Sequence, residues 1–305
     1  MNWETLLSTP PPDTVWSLDD QTIVVVHRDR KTGDRCAAVD VPRGVFEMGP
    51  AGLRSVDVER LQGLLASLHE RIKGSRRVGV VLPTHWARCF LLEAEELPSR
   101  QADLMDVLRW RLKKLLPVSP ADLRIAYSVQ PPVEDVRHVL CSTAPEKGLA
   151  QMENAFEDAG LSPGLVLPRI FALALESSRG GVSRVFVQQE DVGLSLMAVA
   201  NGGVRLVRTK PLSQSGGSWS GVEREIRLLV SYIRSTLGID GSIEAVVSAS
   251  NEELARLMIP WLEEQPSVAA TILDARQICP DAHLAATLGS GRLAPMSAVL
   301  EGGAP

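Results

Sequence analysis

A chain of 305 residues is long enough for one large or two medium domains, and 45% hydrophobic content suits a packed protein rather than a disordered one. A formal net charge of −5 lacks the basic footprint that general nucleic-acid binding requires. Four scattered cysteines, Cys36, Cys89, Cys141 and Cys279, form no C-x-x-C pair and fit no zinc spacing, so a reducing compartment is expected.

Residues 1–13 read as a flexible tail stiffened by Pro10-Pro11-Pro12, with no basic start or apolar core of a secretion signal. Three short runs follow, Val15–Leu18, Thr22–Val26 and Cys36–Val41, separated by turn residues and read as an antiparallel meander. From Asp57 to about Lys73, Leu61, Leu64, Leu65, Leu68 and Ile72 fall on one helical stripe. Val78–Leu82 is the next strand, and another surrounds Arg88–Leu92.

The stretch after Leu97 predicts a helix with Leu104, Val107, Leu108, Leu112 and Leu115 inward and Arg109, Arg111, Lys113 and Lys114 elsewhere, stopped by Pro117. These cations form either a solvated face or a patch for a partner or anionic lipid. Strands Leu123–Val129 and His138–Thr143 come next, then a helix over Pro145–Ala159 capped by Gly160, then a short strand and a small helix. The meander then recurs as Arg184–Gln189, Gly193–Ala200 and Val204–Thr209, with Asn201-Gly202 as a hairpin signal. A helix over Val222–Leu237, a strand at Ala245–Ser248, a helix through Leu254, Met258 and Trp261, and a last helix over Pro280–Leu288 complete the chain. No apolar run reaches the roughly 18 residues of a membrane span.

Meander, helix and strand, twice in tandem, predict a mixed α/β molecule of the duplicated ribonuclease-H-like, actin-like kind. The expected boundaries are a first half at 14–96, an inserted subdomain at 97–167 and a second half at 168–305 ending in a C-terminal helix. Other chemistry fares poorly. No H-E-x-x-H occurs, Gly193-Leu194-Ser195-Leu196-Met197 lacks the closing glycine of a nucleophile elbow, and Gly216–Gly221 has no lysine after it to make a P-loop.

The order Leu82-Pro83, Ala87-Arg88, Leu92, Leu97-Pro98, followed by the basic helix and its proline, resembles the PilM family of type IV pilus assembly proteins. "MENAFEDAGLSPGLVLPRIFALAL", "VEREIRLLVSYIRSTLGIDGSIEAVVSAS" and "DAHLAATLGSGRL" are similar to later parts of that family. The resemblance implies ATP held between the halves by two D-x-G hairpins and a glycine-bearing adenosine loop. Here the first hairpin reads Leu18-Asp19-Asp20-Gln21, the second Gln189-Glu190-Asp191-Val192-Gly193, and the third loop Val247-Ser248-Ala249-Ser250. These turn acids would repel phosphate without magnesium. A degenerate nucleotide site with no cofactor is therefore expected at Asp19, Asp20, Gln189, Glu190, Asp191, Gly193, Ser248 and Ser250, with a working Mg-ATP site as the alternative.

The resemblance further implies a cytoplasmic protein at the inner face of the inner membrane. It would bind the N-terminal tail of a PilN-like single-span protein in a groove between the first half and the insertion, and touch the pilus motor ATPase or other platform proteins. By position that groove falls to Arg88, Leu91, Arg109, Trp110 and Lys113. The cytoplasmic part of the type II secretion protein GspL is the related alternative.

Overall fold

The computed structural model describes residues 10–29, 31, 33–94, 97–98, 100–133, 136–175, 182–212, 219–237, 241–250, 252–273, 279 and 281–301. Strands β1 (Thr14–Ser17), β2 (Thr22–His27) and β3 (Arg35–Asp40) form the first meander. The hairpin β4 (Phe46–Gly49) and β5 (Gly52–Val56) leads to helix α1 (Val58–Ile72), then to β6 (Arg77–Leu82). After a 3-10 turn at Thr84–Trp86 come β7 (Arg88–Ala94), α2 (Gln101–Leu112), β8 (Leu123–Val133) and β9 (Val136–Pro145). Helix α3 (Glu146–Asp158), β10 (Ser162–Pro168) and α4 (Arg169–Ala174) lead into the second meander, β11 (Ser183–Glu190), β12 (Gly193–Ala200) and β13 (Gly203–Pro211). The chain then runs through α5 (Trp219–Leu237), β14 (Ile243–Ser248), α6 (Glu252–Glu263), β15 (Val268–Ile272) and α7 (Ala282–Glu301).

The two large sheets have the same plan. Their orders are β3-β2-β1-β6-β10 and β13-β12-β11-β14-β15. In each, the meander pairs antiparallel and the last two strands add parallel. This is the duplication expected from the two meanders, and the fold is a mixed α/β actin-like one. Parallel strands need a crossover helix, which α1 and α5 supply. The Asp57 carboxylate starts α1 by accepting from Arg60 N, and Leu61, Leu65, Leu68 and Ile72 bury its apolar stripe. Between β12 and β13, Asn201 and Gly202 both take positive φ, at 50° and 71°, as a type I′ hairpin requires.

Helices α1 and α3 cover one face of the first sheet around Trp16, Leu65 and Phe156. Helices α5 and α6 cover one face of the second around Val187, Ile226 and Met258. The remaining faces look toward each other, and α4 and α7 are packed between them. Helix α7 is broken at Gly289, where φ is 67° and ψ 170°.

Several expectations need correction. The inserted unit is not 97–167. The three-stranded sheet β7-β9-β8 and α2 stand apart, whereas β10 hydrogen-bonds to β6 in the first large sheet. Helix α3 packs on β5, so closely that a Cβ at Gly148 would sit 2.1 Å from Leu53 O. Apolar contact, rather than chain order, thus returns 146–168 to the first half. Asp13, at the end of the expected tail, is anchored, its O accepting from Arg28 N at 2.8 Å, while 1–9 lie outside the described residues. Leu115 does not share the buried face of α2. The chain tightens after Leu112, with Leu115 N bonding Leu112 O, and this turns Leu115 out and Leu116 in. The hairpin β4–β5, strand β15 and the second arm of α7 are additions to the sequence reading.

Candidate functional site

The ends of β1, β11 and β14 converge with the starts of α4 and the second arm of α7 at the meeting of the two halves. Arg169, the first residue of α4, points into that space and is only 2% exposed. One terminal nitrogen donates to Glu190 Oε1 at 3.0 Å, and the other to Asp19 Oδ2 and Leu18 O at 2.9 Å and to Ser17 Oγ at 3.2 Å. Glu190 also accepts from Thr84 N at 3.0 Å, so this second-half carboxylate is held both by α4 and by the first half. Arg292 adds a parallel link, lying 3.4 Å from Asp19 Oδ2 and 3.2 Å from Asp191 Oδ2. Burial alone would raise the Asp19 carboxyl, but Arg169 and Arg292 outweigh it and hold the group below its usual value. Burial likewise opposes the charge on Arg169, and Asp19 and Glu190 outweigh it, raising its pKa.

The third loop is closed just as tightly. Gln189 Oε1 accepts from Ser250 N at 3.1 Å and Ser250 Oγ at 2.9 Å. Ser248 Oγ donates to Ser290 O at 3.0 Å, and Gly291 N donates to Ala249 O at 2.6 Å. A Cβ at Gly289 would lie 2.5 Å from Ser250 O, and one at Gly291 2.7 Å from Ala249 C. Only glycine permits this approach of α7 to the β14 end.

Asp19, Gln189, Glu190, Asp191 and Ser250 therefore line one space, with Ser248 buried beneath it. Gly193 closes the β11–β12 hairpin opposite Glu190, and Asp20 turns aside, its carboxylate 3.6 Å from His85 Nε2. The sequence reading missed Arg169, Arg292, Gly289 and Gly291. Arg169 had a signal: it is the one charge in the run Leu165–Leu175. The cavity they leave is about 10 Å³. That is the space of about one water, against roughly 300–1,000 Å³ for ordinary ligand pockets. With Arg169 so bonded the space is far smaller than a ligand pocket, and Asp19, Glu190 and Asp191 are among its lining. Among the described residues no cluster of side chains suits a metal ion. Burial pushes the Cys89 and Cys141 thiols up to about 12, so neither supplies a thiolate near neutral pH.

A second concavity is open. It holds about 320 Å³ between the inserted sheet and the β10 edge of the first large sheet. Ala126 and Ser128 of β8 face Ser142 and Leu140 of β9 across the ladder. With Val166, Leu167 and Phe171 they make a mainly apolar lining. Ser128 Oγ is buried there without a hydrogen-bond partner among the described residues. Both flanking strands, β8 and β10, are sheet edges.

The predicted partner residues do not gather in this groove. Strand alternation sends Phe90 and Leu92 toward α2 and Leu91 to the opposite face, where it packs near Leu140. Leu91 thus shares the groove's face of the inserted sheet. Arg109, Trp110 and Lys113 ride on α2, which covers the other face, and all three are exposed. Arg88 donates to Pro50 O at 2.8 Å.

Fold and cleft together define an actin-like molecule whose interlobe space is filled by its own arginine. Over 97% of its length the chain is similar to a chain of the PilM–PilN type IV pilus biogenesis complex, all of which is covered, with a TM-score of 0.73 and 14% identity. A protein of unknown function with an actin-like ATPase fold from Bacteroides thetaiotaomicron aligns over 97% of this chain and 98% of its own, with a TM-score of 0.55 and 9% identity. No family model matches the chain, and no curated protein matches it.

Proposed function

We propose that this chain is a catalytically silent, PilM-like scaffold of a type IV pilus platform. It holds the N-terminal tail of a PilN-like single-span protein, and through that tail sits at the cytoplasmic face of the inner membrane. Among the described residues no helix is long and apolar enough to cross a bilayer, which agrees with attachment through a partner. The observation that carries the reading is a contrast between two spaces. The cleft that would take a nucleotide measures about 10 Å³ and is spanned by Arg169, while the groove beside the inserted sheet holds about 320 Å³.

The groove suits an extended apolar segment. Two strand edges offer backbone groups, the lining offers apolar contact, and Ser128 Oγ offers one buried hydroxyl. Contacts with the motor ATPase or other platform proteins belong to the same reading and rest on the family resemblance.

The test is capture of a synthetic PilN-type tail peptide by the Ala126→Trp variant. Ala126 lies at the groove and is exposed, so the indole fills space without disturbing a core. Tail affinity is expected to fall at least about tenfold, a loss of about 1.4 kcal/mol, with stability unchanged. Equal affinity in the variant contradicts the groove assignment.

A further inference from the structure

We propose that the exposed end of α2 docks directly on an anionic lipid bilayer. Trp110 is 60% and Leu115 53% exposed, the two largest exposures among the described large hydrophobic residues. Arg109, Lys113 and Lys114 surround them and are exposed, and Lys114 Nζ stands 4.3 Å from the centre of the Trp110 ring. From Val107 to Pro117 there is no carboxylate at all. The acids on the helix are Asp103 in its first turn and Asp106, 3.4 Å from Arg109, and Asp122 lies in the 3-10 turn Pro120–Asp122 that follows. Arg111 is engaged with Glu93 O.

This chemistry fits a lipid headgroup layer better than a protein. Tryptophan partitions to the boundary between water and hydrocarbon, and lysine stems lie along apolar surface while their ammonium groups reach phosphate. Trp110 and Leu115 project outward rather than lining the open groove, so they enter a penetrable medium without needing a complementary pocket. The basic rim supplies the charge complement to an anionic surface. The groove lies on the other face of the inserted sheet, so the tail and the bilayer do not compete for residues. The proposal rests on the reading above only for having a membrane at hand. Its test uses neither tail nor partner protein, so the failure of one leaves the other standing.

The experiment is cosedimentation of the full chain with vesicles of phosphatidylcholine, with and without about 30% phosphatidylglycerol, at about 0.15 M salt. Binding is expected only with the anionic lipid. Each surface cation contributes about fivefold to such binding, so Lys113→Glu with Lys114→Glu should weaken it by about 25-fold or more. Trp110→Ser should weaken it as well, with urea midpoints unchanged for both variants because the residues are exposed. Equal binding to the two vesicles, or anionic binding indifferent to these substitutions, overturns the proposal. Absence of binding to either vesicle also overturns it and turns the search to an acidic protein.

Discussion

Arg169 is a single guanidinium in an otherwise apolar helix start, and it ties the two halves through Asp19 and Glu190. Removing one member of a buried charge cluster strands the others, which costs more than the intact cluster contributes. Arg169→Met should therefore destabilise the protein by about 3–5 kcal/mol at neutral pH, read from urea unfolding. The cost has a pH signature. Asp19 has a depressed pKa in the folded state, so its contribution is present above the unfolded value of 3.8 and fades as pH falls through the folded one. A protonated Asp19 needs no counter-charge, so the gap between wild type and Arg169→Met should narrow below that pH. A gap that stays constant into acid would show that the charge pairing is not what Arg169 provides. At this scale the acids of the cleft were legible, because turn carboxylates in two hairpins stand out in the sequence. Their partners were not. Arg169 and Arg292 lie far along the chain from Asp19, and no local pattern announces a contact across 150 residues or more.

At the scale of elements, alternation and close approach decide the outcome. Hydrophobic period placed nearly every helix and the six meander strands, because one buried stripe per helix and one short apolar run per strand are local signals. It could not tell which face of β7 meets α2. That parity places Leu91 opposite Phe90, and with it the groove on the far face from Trp110. The β4–β5 hairpin escaped because Gly49, Pro50 and Gly52 interrupt its runs, and glycine and proline read as loop. Close approach also explains the second arm of α7, which docks through Gly289 and Gly291 on the β14 end. Gly291→Ala puts a methyl carbon against backbone, which cannot rotate away. It should cost about 1–3 kcal/mol, as overpacking does, measured by chemical denaturation. An unchanged midpoint would mean that α7 is not held there.

The whole molecule repeats one five-stranded plan twice. The space between the two copies is bridged by the chain's own side chains, from Asp19 and Thr84 of one half to Glu190 and Asp191 of the other through Arg169 and Arg292. Such a bridge favours one relative placement of the lobes and so presents the inserted sheet and its groove as fixed surfaces. Preorganised surfaces lose less entropy when a flexible tail binds.

Calorimetric titration of the full chain with Mg-ATP tests this account most directly. With Arg169 seated, no saturable heat is expected up to millimolar nucleotide. A dissociation constant in the micromolar range would mean that the lobes open readily and that the arginine yields its place to phosphate, contrary to everything inferred from the closed cleft.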